Sequence, residues 1–229
     1  MTIDLSTLQR RLNYQFQDIN WLELALTHRS AKGAHNERLE FLGDALLGAW
    51  VAEQLFFRFP EADEGTLSRL RARVVKGTAL AKIGHRLELG QYLRLGPGEL
   101  KSGGHRRDSI LADTVEALIG GVFCDGGAQA AESVMASLLG AEIEQLKIAD
   151  AQKDPKTRLQ EWLQRHGAEL PVYRLLREWG EDHAPHFLVE CEAVYQGKAF
   201  RAQAENTSRK RAEQNAAEQV LSSIEEQMG

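Results

Sequence analysis

Cysteine is scarce in this chain, with only Cys124 and Cys191 among 229 residues. A long chain with two distant thiols carries no disulfide framework, so both are read as buried thiols. Apolar runs of about 18 residues, the length a membrane helix needs, are missing. The opening stretch MTIDLSTLQRRLNYQF also lacks the basic start and apolar block of a secretory signal. A cytoplasmic protein with no membrane partner is expected. Histidines occur without Cys-x-x-Cys or His-Glu-x-x-His spacing, which leaves structural and protease-type zinc sites without support. Positive charge is not in excess either: the formal net charge is −5. A nucleic-acid partner usually demands a basic patch, so local clusters would have to meet it. Even residues 154–224 hold ten Lys/Arg against eleven Asp/Glu.

What is present is enough apolar residue, 43% of the chain, to build more than one core. Up to about residue 147 the apolar positions recur at helical spacing, as in Leu39, Leu42, Leu46 and in Leu111, Val115, Leu118, Ile119. Loops are expected at Phe59-Pro60, Gly96-Pro97-Gly98 and Ser102-Gly103-Gly104. Residues 148–153 are polar and read as a linker ending before Asp154-Pro155, a helix cap with proline at the first helical position. Beyond it the period changes. A helix over 155–166 stops at Gly167, and segments 172–179, 186–196 and 199–205 alternate as strands before a last helix over 208–223. In the second strand Phe187, Val189, Cys191, Ala193 and Tyr195 share one face and Glu190 and Glu192 the other, which makes Cys191 core. The expected fold is mainly α: an all-helical domain over 1–147, then a small α-β-β-β-α domain over 154–224.

The carboxylates carry the chemistry. At about 100° per residue, Glu37, Glu40 and Asp44 fall within about 60° of one another, with Leu39, Leu42 and Leu46 opposite. A second helix, Ser109 to Phe123, sets Asp113 and Glu116 three apart, opposite Leu111, Val115 and Leu118. Acids on the wet face of an amphipathic helix are the ordinary case. Like charges at this spacing nevertheless repel, and a cation removes the penalty. All-oxygen donors favour a hard ion, Mg²⁺ or Mn²⁺, often shared with phosphate oxygens, which is the chemistry of phosphoryl transfer.

The stretch NERLEFLGDA, Asn36 to Ala45, resembles the signature of the ribonuclease III family. Supporting segments are ALTHRS (25–30), EGTLSRLRARVV (64–75), GELKSGGHRRDSILADTVEALIGGVF (98–123) and a double-stranded-RNA-binding pattern from 154 to about 224. The resemblance spans nearly the whole chain. It implies an Mg²⁺-dependent endoribonuclease, Mn²⁺ being an accepted substitute, that cuts double-stranded RNA through a metal-activated water and leaves 5′-phosphate and 3′-hydroxyl ends. It implies metal ligands at Glu40, Asp44, Asp113 and Glu116, with Asp44 and Glu116 most directly catalytic and Glu37 and Glu64 as outer acids. It also implies a homodimer that leaves short 3′ overhangs, with Phe41, on the side of the acid stripe, at the dimer contact. A protein that binds duplex RNA without cutting it is the alternative.

For RNA contact the resemblance points to Gln160 on the first helix of the second domain, His183 in the turn between its first two strands, and Arg209-Lys210-Arg211 opening the last helix. Cations at a helix N-terminus oppose its dipole, so this placement suggests a phosphate partner. Four positions depart from the family pattern: Glu181, where proline is frequent; Asn206, where glycine is frequent and where asparagine tolerates a left-handed backbone; and His105 and Asp108 in an otherwise matching loop. Ribosomal RNA precursors and other structured RNAs are the substrates the resemblance implies.

Overall fold

The computed structural model describes residues 4–151, 153–181 and 184–228. The chain divides into two compact units, Met1–Gln152 and Lys153–Gly229. The first is helical: α1 (Ser6–Leu12), α2 (Ile19–Ala25), α3 (Glu37–Arg58), α4 (Glu64–Val75), α5 (Gly77–Arg86), α6 (Pro97–Lys101) and α7 (Asp108–Gln145). Side-chain oxygens cap two of these starts: Asp18 accepts from the Asn20 amide and Asp63 from the Thr66 amide. Gly96-Pro97, expected as loop, instead opens α6, because proline at the first helical position loses no hydrogen bond there.

The core of this unit is organised around α7. From Ile110 to Val122 every residue except Asp113 and Glu116 is buried, so this is a central helix rather than the amphipathic one expected from its spacing. Gly127 (φ 75°, ψ −171°) breaks the helix after its buried half. Cys124 lies just before the break and is exposed, contrary to its reading as a buried thiol, because α7 is enclosed on all sides only up to Val122 and buries one face beyond it. On α3 the buried stripe is Leu39, Gly43, Leu47, Val51 and Leu55. Leu42 and Leu46 are only half-buried. The stripe facing the core is thus rotated toward the acids from the one expected, and the acids border the core seam instead of opposing it.

Two glycines explain how closely α3 and α7 cross. A Cβ on Gly43 would lie 1.8 Å from the carbonyl oxygen of Glu116, and one on Gly120 would lie 2.2 Å from that of Leu39. The helices meet backbone to backbone, which only residues without a side chain permit. Residues 148–151, within the stretch expected as linker, form a 3₁₀ turn against α4; the Arg69 Nε donates to the Ala151 carbonyl at 2.7 Å, and Ala151 is buried. Among the described residues no helix is long and apolar enough to cross a membrane.

The second unit runs α8 (Pro155–Arg165), β1 (Val172–Glu181), β2 (Ala184–Tyr195), β3 (Lys198–Asn206) and α9 (Arg209–Met228), with an antiparallel sheet in the order β1-β2-β3. Asp154 caps α8 by accepting from the amides of Lys156 and Thr157, and Gly167 (φ +65°) follows its end. Leu159 and Leu163 of α8, Cys191, Ala193 and Phe200 of the sheet, and Ala216, Ala217, Val220 and Ile224 of α9 form one core. The other sheet face carries charge: Arg174 and Arg201 both reach Glu192 at 2.7 Å. Asn206 ends β3 without a positive φ, so its role is not left-handed tolerance; its Oδ1 accepts from the Ser208 amide at 3.3 Å.

Candidate active site

The glycine-mediated crossing sets the site. With the α3 and α7 backbones in contact, side chains flanking the seam must converge, and those of Glu40, Asp113 and Glu116 do. Each offers an oxygen within 4.8 Å of the others, and all three are half-buried. Burial, then the neighbouring charges of Asp44, Asp113 and Glu40, push the Glu116 carboxyl up to about 7. Glu40 is raised by burial and by Asp113, Glu37 and Asp44, with Arg29 opposing. Asp113 is raised by burial, with His28 and Arg29 opposing. Three acids are therefore held where charge is unfavourable.

Among the described residues no Lys or Arg forms an ion pair with the trio. Arg29 turns to Glu37 at 3.3 Å, and Arg107 to Glu99 at 2.8 Å. An all-oxygen, like-charged, partly desolvated donor set suits a hard divalent ion. Beside it opens a cleft of about 530 Å³ whose lining includes His28, Arg29, Glu37, Glu40, Arg107 and Asp113. A larger cleft, about 930 Å³, lies between α4, α5 and the end of α7. Its two acids, Glu142 and Asp150, are each paired with an arginine, so volume alone does not mark the chemistry.

The remaining site residues named from the sequence are spread more widely. Asp44 is exposed on α3, outside the trio, though its charge acts on Glu116 and Glu40. Glu37 lines the cleft. Glu64 stands exposed in the first turn of α4 and does not line it. Phe41 is 79% exposed, as is much of Phe56 (63%) on the same helix, a residue the sequence reading passed over although its spacing places it near Phe41's side. Gln160 is exposed on α8, and Arg209, Lys210 and Arg211 are exposed at the start of α9. Arg209 is tied to Glu213 at 3.1 Å, whereas Lys210 and Arg211 make no ion pair among the described residues. His183 lies outside the described residues. Asp108, one of the departures from pattern, meets His85 at 2.8 Å. The signal missed in the sequence was glycine: Gly43 and Gly120 govern the convergence but have no place in a count of acids.

Residues 18–143 match the model of the ribonuclease-III-like domain and residues 155–224 that of the double-stranded RNA binding motif. The chain belongs to the ribonuclease III family. Ribonuclease 3 of Pseudomonas fluorescens (strain SBW25) is 54% identical over 221 residues, 96% of each chain. Ribonuclease 3 of Vibrio parahaemolyticus is 49% identical over 224 residues, 98% of this chain and 99% of its own. The crystal structure of the nuclease domain of Campylobacter jejuni ribonuclease III matches with a TM-score of 0.60 at 39% identity, covering 64% of this chain and 100% of that one. Membership makes the protein an endoribonuclease for double-stranded RNA, and the alternative of a non-cleaving binder falls away. Metal dependence comes with the family, and a cluster of carboxylates that could hold an ion is present in the nuclease unit.

Proposed function

We propose that Glu40, Asp113 and Glu116, joined by Asp44, hold Mg²⁺, with Mn²⁺ able to replace it, and that RNA is cut beside them to leave 5′-phosphate and 3′-hydroxyl ends with short 3′ overhangs. The observation that carries this reading is the convergence of three half-buried acids that form no ion pair among the described residues, so that burial and like charge outweigh the nearby Arg29 and His28. Bound there, a divalent ion supplies charge neutralisation and an activated water near neutral pH, so no histidine base is needed. Glu116, raised to about 7, would give up its proton near neutrality where an ion is held. Asp44, exposed on α3, would add charge that helps to hold the ion, while Glu37 and Glu64 act as outer acids.

The catalytic unit, over 1–147, works as a homodimer through α3. Exposed Phe41 and Phe56, with the small residues Ala45, Gly48 and Ala52 between them, make an apolar helix face that a second copy can cover. A second structure of the C. jejuni nuclease domain, 41% identical with a TM-score of 0.59 over 60% of this chain and 97% of that one, is described by structural flexibility in a region involved in dimer formation. The RNA-binding unit, over 154–224, holds duplex by shape and phosphate through Gln160, His183, Arg209, Lys210 and Arg211. Ribosomal RNA precursors and other structured RNAs, messenger RNAs among them, are the substrates, met in the cytoplasm.

The test is cleavage of a long RNA duplex by the full chain with Mg²⁺, with EDTA, and with Ca²⁺ as a binding-only control. Cutting with Mg²⁺ alone is the expected result. Equal cutting in EDTA would remove the metal from the reading.

A further inference from the structure

The loop after α2 is held more firmly than a surface connection needs. The His28 amide donates to the Arg94 carbonyl at 3.0 Å and the Arg94 amide to that of Leu26 at 2.8 Å. From the other side, buried Asn36 donates its backbone amide to the Thr27 carbonyl at 2.9 Å and its side-chain amide to that of Ala25 at 3.3 Å. Gly96 packs against this loop so closely that a Cβ there would lie 2.0 Å from the Ser30 carbonyl oxygen.

This framework also determines where the His28 ring carries its proton. The Ser30 backbone N–H donates to His28 Nδ1 at 3.2 Å, so Nδ1 is an acceptor. The Ser30 hydroxyl oxygen lies 2.8 Å from the same nitrogen and itself accepts from the Gly96 amide at 2.9 Å, which leaves the hydroxyl proton free to point at Nδ1. With Nδ1 occupied as acceptor, the ring presents its N–H donor at Nε2. His28 lines the cleft with Glu40 and Asp113, yet no hydrogen bond or ion pair joins it to either acid among the described residues. A donor with a fixed tautomer therefore stands across an open space from the acid trio.

We infer that His28 is a further catalytic residue, whose Nε2–H donates to an oxygen of the RNA strand seated between it and the acid trio. The acid trio would hold one side of a phosphodiester through an ion, and a donor opposite it would fix the rotation of that group. Ser30 and Gly96 position the ring and do not touch RNA. The inference rests on the acid trio being the cleavage site.

Side-chain amides separate the two ring nitrogens, because the Gln amide overlays Nε2 and the Asn amide overlays Nδ1. Single-turnover cleavage of a duplex by the full chain with Mg²⁺ should slow about tenfold to a hundredfold in His28→Ala and His28→Asn, the worth of one hydrogen bond to a charged oxygen. His28→Gln should stay within a few-fold of the parent, and duplex affinity in Ca²⁺ should change little in all three. Independently of activity, ring ¹⁵N spectra of the metal-free parent protein should show the Nε2–H tautomer at His28, with Nε2 shifting when duplex and Ca²⁺ are added. A parent protein that cuts alongside an equally fast His28→Ala would overturn this inference and leave the metal site standing. So would a His28→Gln as slow as His28→Ala, or an Nδ1–H tautomer. Loss of all cutting in the parent would instead strike the proposed function.

Discussion

The two units place acids on opposite terms. On the sheet face of the RNA-binding unit, Glu192 lies between Arg201 and Arg174, and their hydrogen bonds hold its carboxyl below the usual range. At the α3–α7 crossing, burial and three like-charged neighbours drive Glu116 up to about 7. One residue type thus shifts in two directions, and burial alone does not separate them: Glu192's side chain is only 15% exposed. The difference is the counter-charge. The first set of acids is balanced by direct ion pairs; the second has none among the described residues, which fits the proposed role of a cation from outside.

The strongest way to break this comparison is to remove one acid from the unbalanced set. Glu116→Ala is expected to lower duplex cleavage by about a thousandfold or more, the scale of several kcal/mol of lost charge stabilisation. Filter or gel-shift binding in Ca²⁺ should stay near the parent value, and parallel loss of both would merge the roles of the two units. Next, Gly43→Ala forces the crossing helices apart. It should destabilise the nuclease unit by about 3 kcal/mol in thermal or denaturant melts, since its Cβ meets backbone and not a yielding side chain. Normal activity and melting would show that close approach is not what assembles the trio.

Charges meant for RNA provide a third test. Lys210→Ala and Arg211→Ala should each weaken duplex binding and flatten the salt dependence by about one unit of log–log slope. Arg209→Ala should do less, because Arg209 is already paired with Glu213. Equal effects from all three would deny the distinction between paired and free cations.

A smaller effect is expected from pH. Glu116 has a folded value of about 7 against 4.5 for the free group, so the folded state binds the extra proton between those limits. Stability of the metal-free protein should then fall as pH rises through that window and level off above it. Because the ion competes with the proton, Mg²⁺ should raise the melting temperature more at about pH 8 than at about pH 5.5. A pH-independent gain would place the ion elsewhere. The smallest change is reserved for the balanced set: Glu192→Gln should lower the melting temperature slightly and leave cleavage untouched.

Much of this arrangement was legible in the residues, and the failures share a cause. The stripes of Glu37, Glu40, Asp44 and of Asp113, Glu116 follow from helical period, as does the inward face of β2 around Cys191. Period alone reports the phase of one helix and is silent on what covers it. It puts Leu42 and Leu46 on the apolar face where the structure buries Gly43 and Leu47, and makes α7 amphipathic where its middle is enclosed. Cys124 differs from its reading for the same reason: the enclosed run of α7 ends at Val122, and helical period does not show where a covering neighbour stops. Asn206 was given a backbone reason for its presence where the reason is an acceptor for the Ser208 amide.

Asp125, just ahead of the break at Gly127, reaches back across the chain. Burial works to raise its carboxyl, yet three donors keep it low: the Asp18 and Gln17 amides at 2.8 Å each and the Tyr14 hydroxyl at 2.7 Å. The turn between α1 and α2 is thereby fastened to a residue more than a hundred positions downstream. During synthesis the turn between the first two helices must wait for this pin until nearly half of α7 has emerged. Loop-closure entropy over that span makes their docking a late step in the assembly of the nuclease unit.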